Sequence, residues 1–229
     1  MTRIKICLLV SCFFAVGLGG GHKQAADPDP NRWKEAIETF EQWDSQNSVP
    51  DNAVLFVGSS SIWQWATHKY FPEFPVINRG FGGSHISDVN FFAKRIVLAY
   101  KPRVIVFYAG DNDIAEGKEP RRVFDDYRKF AGLVRENLPA TRIIFISIKP
   151  SPSRWSLWPA MNEANEMVRE FSAKDKRLYF ADAASVLLGG NGEPNVELFE
   201  KDKLHLNDKG YEVWTAVIKP IISRSLNKH

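Results

Sequence analysis

Cysteine is nearly absent from the 229 residues: there are two, Cys7 and Cys12, both close to the start of the chain. If a leader carrying them is removed, disulfides and cysteine-ligated metals are excluded. Long apolar runs are missing as well, since the stretch over residues 6–18 is too short for a comfortable membrane span. Nor is there a basic cluster. The formal charge of +3 resides in Arg3, Lys5 and Lys23, all ahead of the first acid, Asp27. The chain beyond residue 26 is therefore balanced, and nothing in it supports nucleic acid or a strongly anionic membrane as a partner. Internal repeats are lacking, and the glycine-rich end of the leader is the sole low-complexity stretch.

Arg3 and Lys5 followed by that apolar stretch read as an export signal. The expectation is a leader over residues 1–26 and an exported protein, periplasmic or secreted, without stable membrane insertion once the leader is gone. A lipoprotein signal ending at Cys12 is the weaker alternative, because the apolar stretch before it is very short and continues through Phe13 and Phe14. With 44% hydrophobic and 25% charged residues, the chain is ordinary globular material. Residues 27–229 suffice for one sizeable core and form one domain. The sequence leaves the oligomeric state open.

Residues 27–30 (DPDP) read as a stiff extended linker. A helix follows, with Trp33, Ile37, Phe40 and Trp43 at helical spacing and turned toward the core. From there short apolar runs (residues 53–57, 75–78, 104–108, 142–146 and 178–180) alternate with helical stripes. Val89, Phe92 and Ile96 form one stripe. Val123, Tyr127, Phe130 and Val134 form another, opened by Pro120, and Ala164, Met167, Val168 and Phe171 a third. A final helix starts near Asn207, carries Tyr211, Trp214 and Ile218, and should kink at Pro220. Such alternation implies an α/β fold: a parallel sheet with helices on both faces and right-handed crossovers.

Four polar clusters fall at strand ends or loops. The run of residues 54–57 ends on Gly58, Ser59, Ser60 and Ser61, at the carboxyl edge where open α/β proteins bind ligands. A serine there can be a nucleophile, or all three can simply turn the chain and cap a helix. The others are residues 80–85, with Gly80, Gly82 and Gly83, residues 110–113, and residues 202–205. Gly80, Gly82 and Gly83 also suit a flexible turn. Asp111, Asn112 and Asp113 also suit a hard cation, although no further acidic cluster is near in sequence. His68 and His85 read as loop or surface residues, and Trp63 and Trp65 as packing residues.

In this order the four clusters resemble the SGNH hydrolase family, the GDSL esterases. Gly58 and Ser60 match the Gly-Asp-Ser-Leu block, with Ser59 in place of its aspartate and Ser61 in place of its leucine. Asn78, Gly80 and Gly83 match Asn-x-Gly-x-x-Gly, Ser84 standing where relatives often have aspartate. Gly110, Asp111, Asn112 and Asp113 complete the third block, and Asp202 and His205 the fourth. The resemblance spans residues 58–205. It implies a three-layer α/β/α, flavodoxin-like parallel five-stranded sheet, and a catalytic set of Ser60, Asp202 and His205. The oxyanion hole it implies is made of the Ser60 and Gly83 amides and the Asn112 carboxamide, with no metal and no cofactor. The missing aspartate supports the turn in the family and is not the triad acid.

Such a set suits acyl transfer. A hydroxyl needs a base to become nucleophilic, the base needs a carboxylate to fix its tautomer, and the oxyanion needs donors placed in advance. The expected activity is an esterase acting on short to medium acyl esters of small molecules or polymers, including acetylated carbohydrates. A lysophospholipase or thioesterase, or a non-catalytic carbohydrate-binding module on the same fold, are the alternatives. Residues 149–158 (KPSPSRWSLW) are irregular, and Arg154, Trp155 and Trp158 are candidates for contacting a sugar ring or acyl chain. The two tryptophans could equally close the core from above.

Overall fold

A computed structural model describes residues 25–227. The expected leader, with Cys7 and Cys12, falls almost wholly outside that range. Five strands, β1 (Val54–Gly58), β2 (Val76–Gly80), β3 (Val104–Tyr108), β4 (Arg142–Ile146) and β5 (Leu178–Ala181), pair in the order β2-β1-β3-β4-β5. Every pairing is parallel. This is the flavodoxin-like order, with the point where strand order reverses lying between β1 and β3.

The central strands β1 and β3 are apolar without a break because both faces are covered. Leu55, Val57, Ile105, Phe107, Ile143 and Phe145 face one core layer. That layer is closed by α1 (Lys34–Gln46), α4 (Ile86–Ile96), α6 (Pro120–Asn137) and α7 (Trp158–Ser172). Their alternating neighbours Val54, Phe56, Val104, Val106, Ile144 and Ile146 face the other layer. There α2 (Ser60–Trp63), α3 (Thr67–Tyr70) and α8 (Asp208–Asn227) pack, α5 being the short Asp111–Ala115 turn at the end of β3. An aromatic cluster fills this second layer, with Trp65 stacked on Tyr211 at 5.5 Å between centroids and Phe56 and Phe71 edge-on or tilted beside it.

Two local expectations change. Residues 27–30 are docked: Asp27 pairs with Lys118 at 2.8 Å and Arg122 at 2.6 Å, and a 3-10 turn starts at Pro30. Of the first helix's aromatics, Trp43 overhangs the core at 49% exposure, with the Arg79 guanidinium 5.4 Å above its ring. Trp33 packs against the core as expected, and its ring also occupies the space a Cβ on Gly82 would need. The last helix, α8, continues past Pro220, which shares its exposed face with Ala216. The hydrogen bond that proline cannot make is thereby lost on the water-facing side, where a helix tolerates it best.

The tightest contact of the sheet is at the end of β1. Gly58 has φ +141°, and a Cβ there would lie 1.8 Å from the Tyr108 carbonyl oxygen. The close approach lets Ser59 N–H donate to that same oxygen at 2.9 Å. Gly58→Ala is therefore expected to lower stability by about 3 kcal/mol or more, combining a disallowed φ with a backbone clash. Urea denaturation measures it, and a loss below about 0.5 kcal/mol, the range of ordinary surface changes, would contradict this account of the turn.

Candidate active site

After Gly58 the chain turns directly into α2, and the turn sorts the three serines. Ser59 and Ser61 are fully buried, whereas Ser60 is partly exposed. The four-residue helix is braced from β2: Asn78 Nδ2 donates to the carbonyls of Ile62 at 2.8 Å and Trp65 at 3.1 Å, while its Oδ1 accepts from Gly80 N–H at 2.9 Å. From α8, Tyr211 O–H donates to the Ser61 carbonyl at 3.0 Å. These bonds hold the turn in place from both β2 and α8.

His205 Nε2 lies 3.0 Å from Ser60 Oγ, and His205 Nδ1 lies 2.6 Å from Asp202 Oδ2. Oδ1 of Asp202 accepts from the Leu204 and His205 backbone amides at 2.9 and 3.0 Å. Partial burial pushes the carboxyl up, but the bonds from the His205 ring and from these amides outweigh it and hold Asp202 down at about 2. The carboxylate stays ionised at any ordinary pH, which fixes the Nδ1–H tautomer and leaves Nε2 to face the serine.

Asn112 stands on α5 beside the loop after β2. Its Nδ2 donates to the Ser84 carbonyl at 3.3 Å and lies 3.8 Å from the Cβ position of Gly83. No internal hydrogen bond among the described residues uses the amide N–H of Ser60 or Gly83. The Gly83 backbone and the Asn112 carboxamide thus stand together, after the two strands that flank β1, the strand from which Ser60 follows. Arg154 points inward: Nη1 donates to Asn112 Oδ1 at 3.0 Å and lies 3.3 Å from Asp111 Oδ2. In the same irregular turn, Ser153 N–H donates to the Lys203 carbonyl at 3.0 Å, tying this loop to the one that carries Asp202 and His205. Trp155 and Trp158 stack on each other, 6.2 Å between centroids at 14°, and Trp158 also packs against the core.

The cation reading of the third block loses its carboxylates to lysines. Asp111 accepts from Lys149 at 2.9 Å, and Lys149 and Arg154 overcome its burial to keep it ionised. Asp113 accepts from Lys118 at 2.9 Å. Burial works against charge on Lys118, yet Asp113, Asp27 and Asp126 outweigh it and raise its pKa. Two further expectations need correction. His85 lies in a loop, as one of its readings has it, but is buried rather than at the surface, its Nε2 3.1 Å from Glu116. Trp63 is 61% exposed, while Trp65 is in the core as expected; α2 is a single turn, and Trp63 at its end stands open beside the buried Ile62.

The profile of the GDSL-like lipase/acylhydrolase family matches residues 53–213. A search of curated proteins finds no match. Among solved structures, the chain is similar to a protein from Streptococcus pneumonia provisionally named a platelet activating factor, with 19% identity, 83% of this chain and 93% of that chain covered, and a TM-score of 0.74. It is similar to a GDSL-like lipase from Bacteroides thetaiotaomicron VPI-5482, with 24% identity, coverage of 82% and 98%, and a TM-score of 0.69. It is also similar to a catalytic mutant of an acetylxylan esterase from Geobacillus stearothermophilus, with 14% identity, coverage of 80% and 98%, and a TM-score of 0.59. At these identities the likeness is one of fold.

Because Ser59 and Ser61 are sealed and only Ser60 meets an imidazole, a fluorophosphonate probe is expected to label Ser60 alone. Peptide mass spectrometry of the labelled protein reads the position. Adducts on Ser59 or Ser61 would contradict the assignment.

Proposed function

This chain belongs to the GDSL-like lipase/acylhydrolase family, a family of ester hydrolases, and from that premise we propose that it cleaves short acyl esters by a serine mechanism. The observation that carries the reading is the continuous hydrogen-bond path from Asp202 through His205 to Ser60. His205 Nε2 takes the Ser60 proton as Oγ attacks the acyl carbon, and Asp202 stabilises the imidazolium that forms. The developing oxyanion is met by the Ser60 and Gly83 amides and by Asn112 Nδ2, each donor contributing about 3 kcal/mol in the transition state. Imidazolium then protonates the departing alcohol, and water, activated by the same imidazole, releases the acid and restores Ser60. Each role falls to a side chain or amide of this chain.

Fold likeness to both a lipase and an acetylxylan esterase leaves the acyl length open, so the mouth of the site has to decide. The exposed large apolar side chains, Trp43, Trp63, Phe91, Val186 and Val196, all lie outside the loops that carry Arg154, Asp202 and His205. The largest exposed apolar side chains thus stand away from those loops, where Trp155 and Trp158 are only partly exposed. The polar groups of those loops, with Asp202 half exposed, favour a hydrated alcohol such as a sugar over a lysolipid or acyl thioester. The Trp155–Trp158 pair is the surface on which a sugar ring would stack.

The acid limb of log kcat/KM against pH should rise with a slope of one, because His205 must lose a proton to act as base while Asp202, at about 2, is already ionised throughout. His205→Ala should be inactive. A slope of two, or near-normal turnover in His205→Ala, would contradict the mechanism. Acetyl and butyryl esters are expected to turn over faster than dodecanoyl esters, and Trp155→Ala to raise KM for an acetylated sugar more than for 4-nitrophenyl acetate. Faster turnover of long chains, or a jump when the substrate forms micelles, would favour the lysophospholipase reading.

A further inference from the structure

We propose that Arg154 is a positioning residue for the reaction: it fixes and polarises the Asn112 carboxamide so that Nδ2 faces the forming oxyanion. The proposal rests on the reading of Asn112 as an oxyanion donor. A carboxamide is almost symmetric in shape, and only one of its two orientations offers an N–H to the oxyanion. Here both ends are specified. Oδ1 meets Arg154 Nη1 at 3.0 Å, and a guanidinium has donors only. Nδ2 meets the Ser84 carbonyl at 3.3 Å. Turning the amide over would set donor against donor at Arg154 and acceptor against acceptor at Ser84, so each contact opposes the flip.

The second N–H of Nδ2 is then left for the oxyanion, on the side where Gly83 stands. A cation against Oδ1 also draws electron density out of the amide, making that N–H a stronger donor as negative charge develops. Arg154 is itself held. Its Nη1 is 3.3 Å from Asp111 Oδ2, and Asp111 accepts from Lys149, whose Nζ also donates to the Tyr108 hydroxyl at 3.1 Å. One carboxylate between two cations leaves a net positive charge just behind the oxyanion donor. With its tip on Asn112, the Arg154 side chain is only 20% exposed.

The test is a double-mutant cycle on 4-nitrophenyl acetate and an acetylated sugar, with Arg154→Met, Asn112→Ala and the pair, alongside Arg154→Lys. Arg154→Met is expected to cut kcat about tenfold on both substrates with KM nearly constant, and Arg154→Lys to recover part of it. In the Asn112→Ala background the same change should cost less than about twofold, because the group it orients is gone. Thermal unfolding confirms that each variant is folded, and if Arg154→Met fails to fold, Arg154→Lys and Arg154→Gln carry the cycle. An undiminished loss in the Asn112→Ala background, or an effect confined to KM for the sugar ester, would overturn the proposal. So would a silent Asn112→Ala, which would leave the serine mechanism standing. Turnover by His205→Ala would instead bring down the underlying mechanism.

Discussion

The close approach of β1 and β3 at the carboxyl edge of the sheet is the constraint around which the site is arranged. Gly58 has no room for a Cβ beside the Tyr108 carbonyl, and the Ser59 amide is bonded to that same oxygen. The chain must therefore leave the strand in one direction. Ser59 and Ser61 go inward and Ser60 goes outward. Asn78 and Tyr211 then hold the short helix from opposite sides, and the loop before α8 brings His205 to the serine from a distance of 145 positions in sequence. Because strand order reverses beside β1, the carboxyl ends of the neighbouring strands β2, β1 and β3 lie side by side at the edge where such sheets bind ligands. The Gly58–Ser60, Gly80–Gly83 and Gly110–Asn112 segments all leave the sheet there.

Beneath that edge lies a buried electrostatic arrangement. The third block contributes two carboxylates, Asp111 and Asp113, and each is matched by a lysine, Lys149 and Lys118. An unpaired carboxylate at either position would be costly, because burial disfavours the charged form. With the lysines in place the carboxylates serve as anchors. Asp111 holds the loop of Arg154, and Asp113, through Lys118, reaches Asp27 in the segment ahead of the family match. That segment supports the second block too, since Arg32 and the Trp33 indole both donate to Asp88, whose carboxylate also accepts from the His85 amide.

Much of the fold was legible in the sequence, for a physical reason. Parallel strands covered on both faces must be apolar throughout, so residues 53–57, 104–108 and 142–146 stand out by composition and coincide with strands to within a residue. The four blocks were legible because they need particular residue types: glycine where backbones nearly touch, a hydroxyl, an imidazole, a carboxylate three residues before it. Less legible were features that depend on the partner across space. Arg154 in an irregular loop signals polarity but not that its tip meets Asn112. Asn78 belongs to a recognisable block, yet its bonds to Ile62 and Trp65 follow from the pairing of β2 with β1. Trp43 and Trp63 obey the pattern for buried aromatics and are exposed, because one overhangs the core at a helix end and the other closes a single turn. His85 looked like a loop residue and is buried, because the loop after β2 folds back against α5 and Asp113.

The central claim is that catalysis runs through a covalent intermediate on Ser60. Turnover of 4-nitrophenyl acetate by Ser60→Ala and Ser59→Ala, each verified as folded by circular dichroism, tests it most directly. The account predicts that Ser60→Ala falls to the uncatalysed rate while Ser59→Ala keeps much of the activity. Substantial turnover by Ser60→Ala would contradict it.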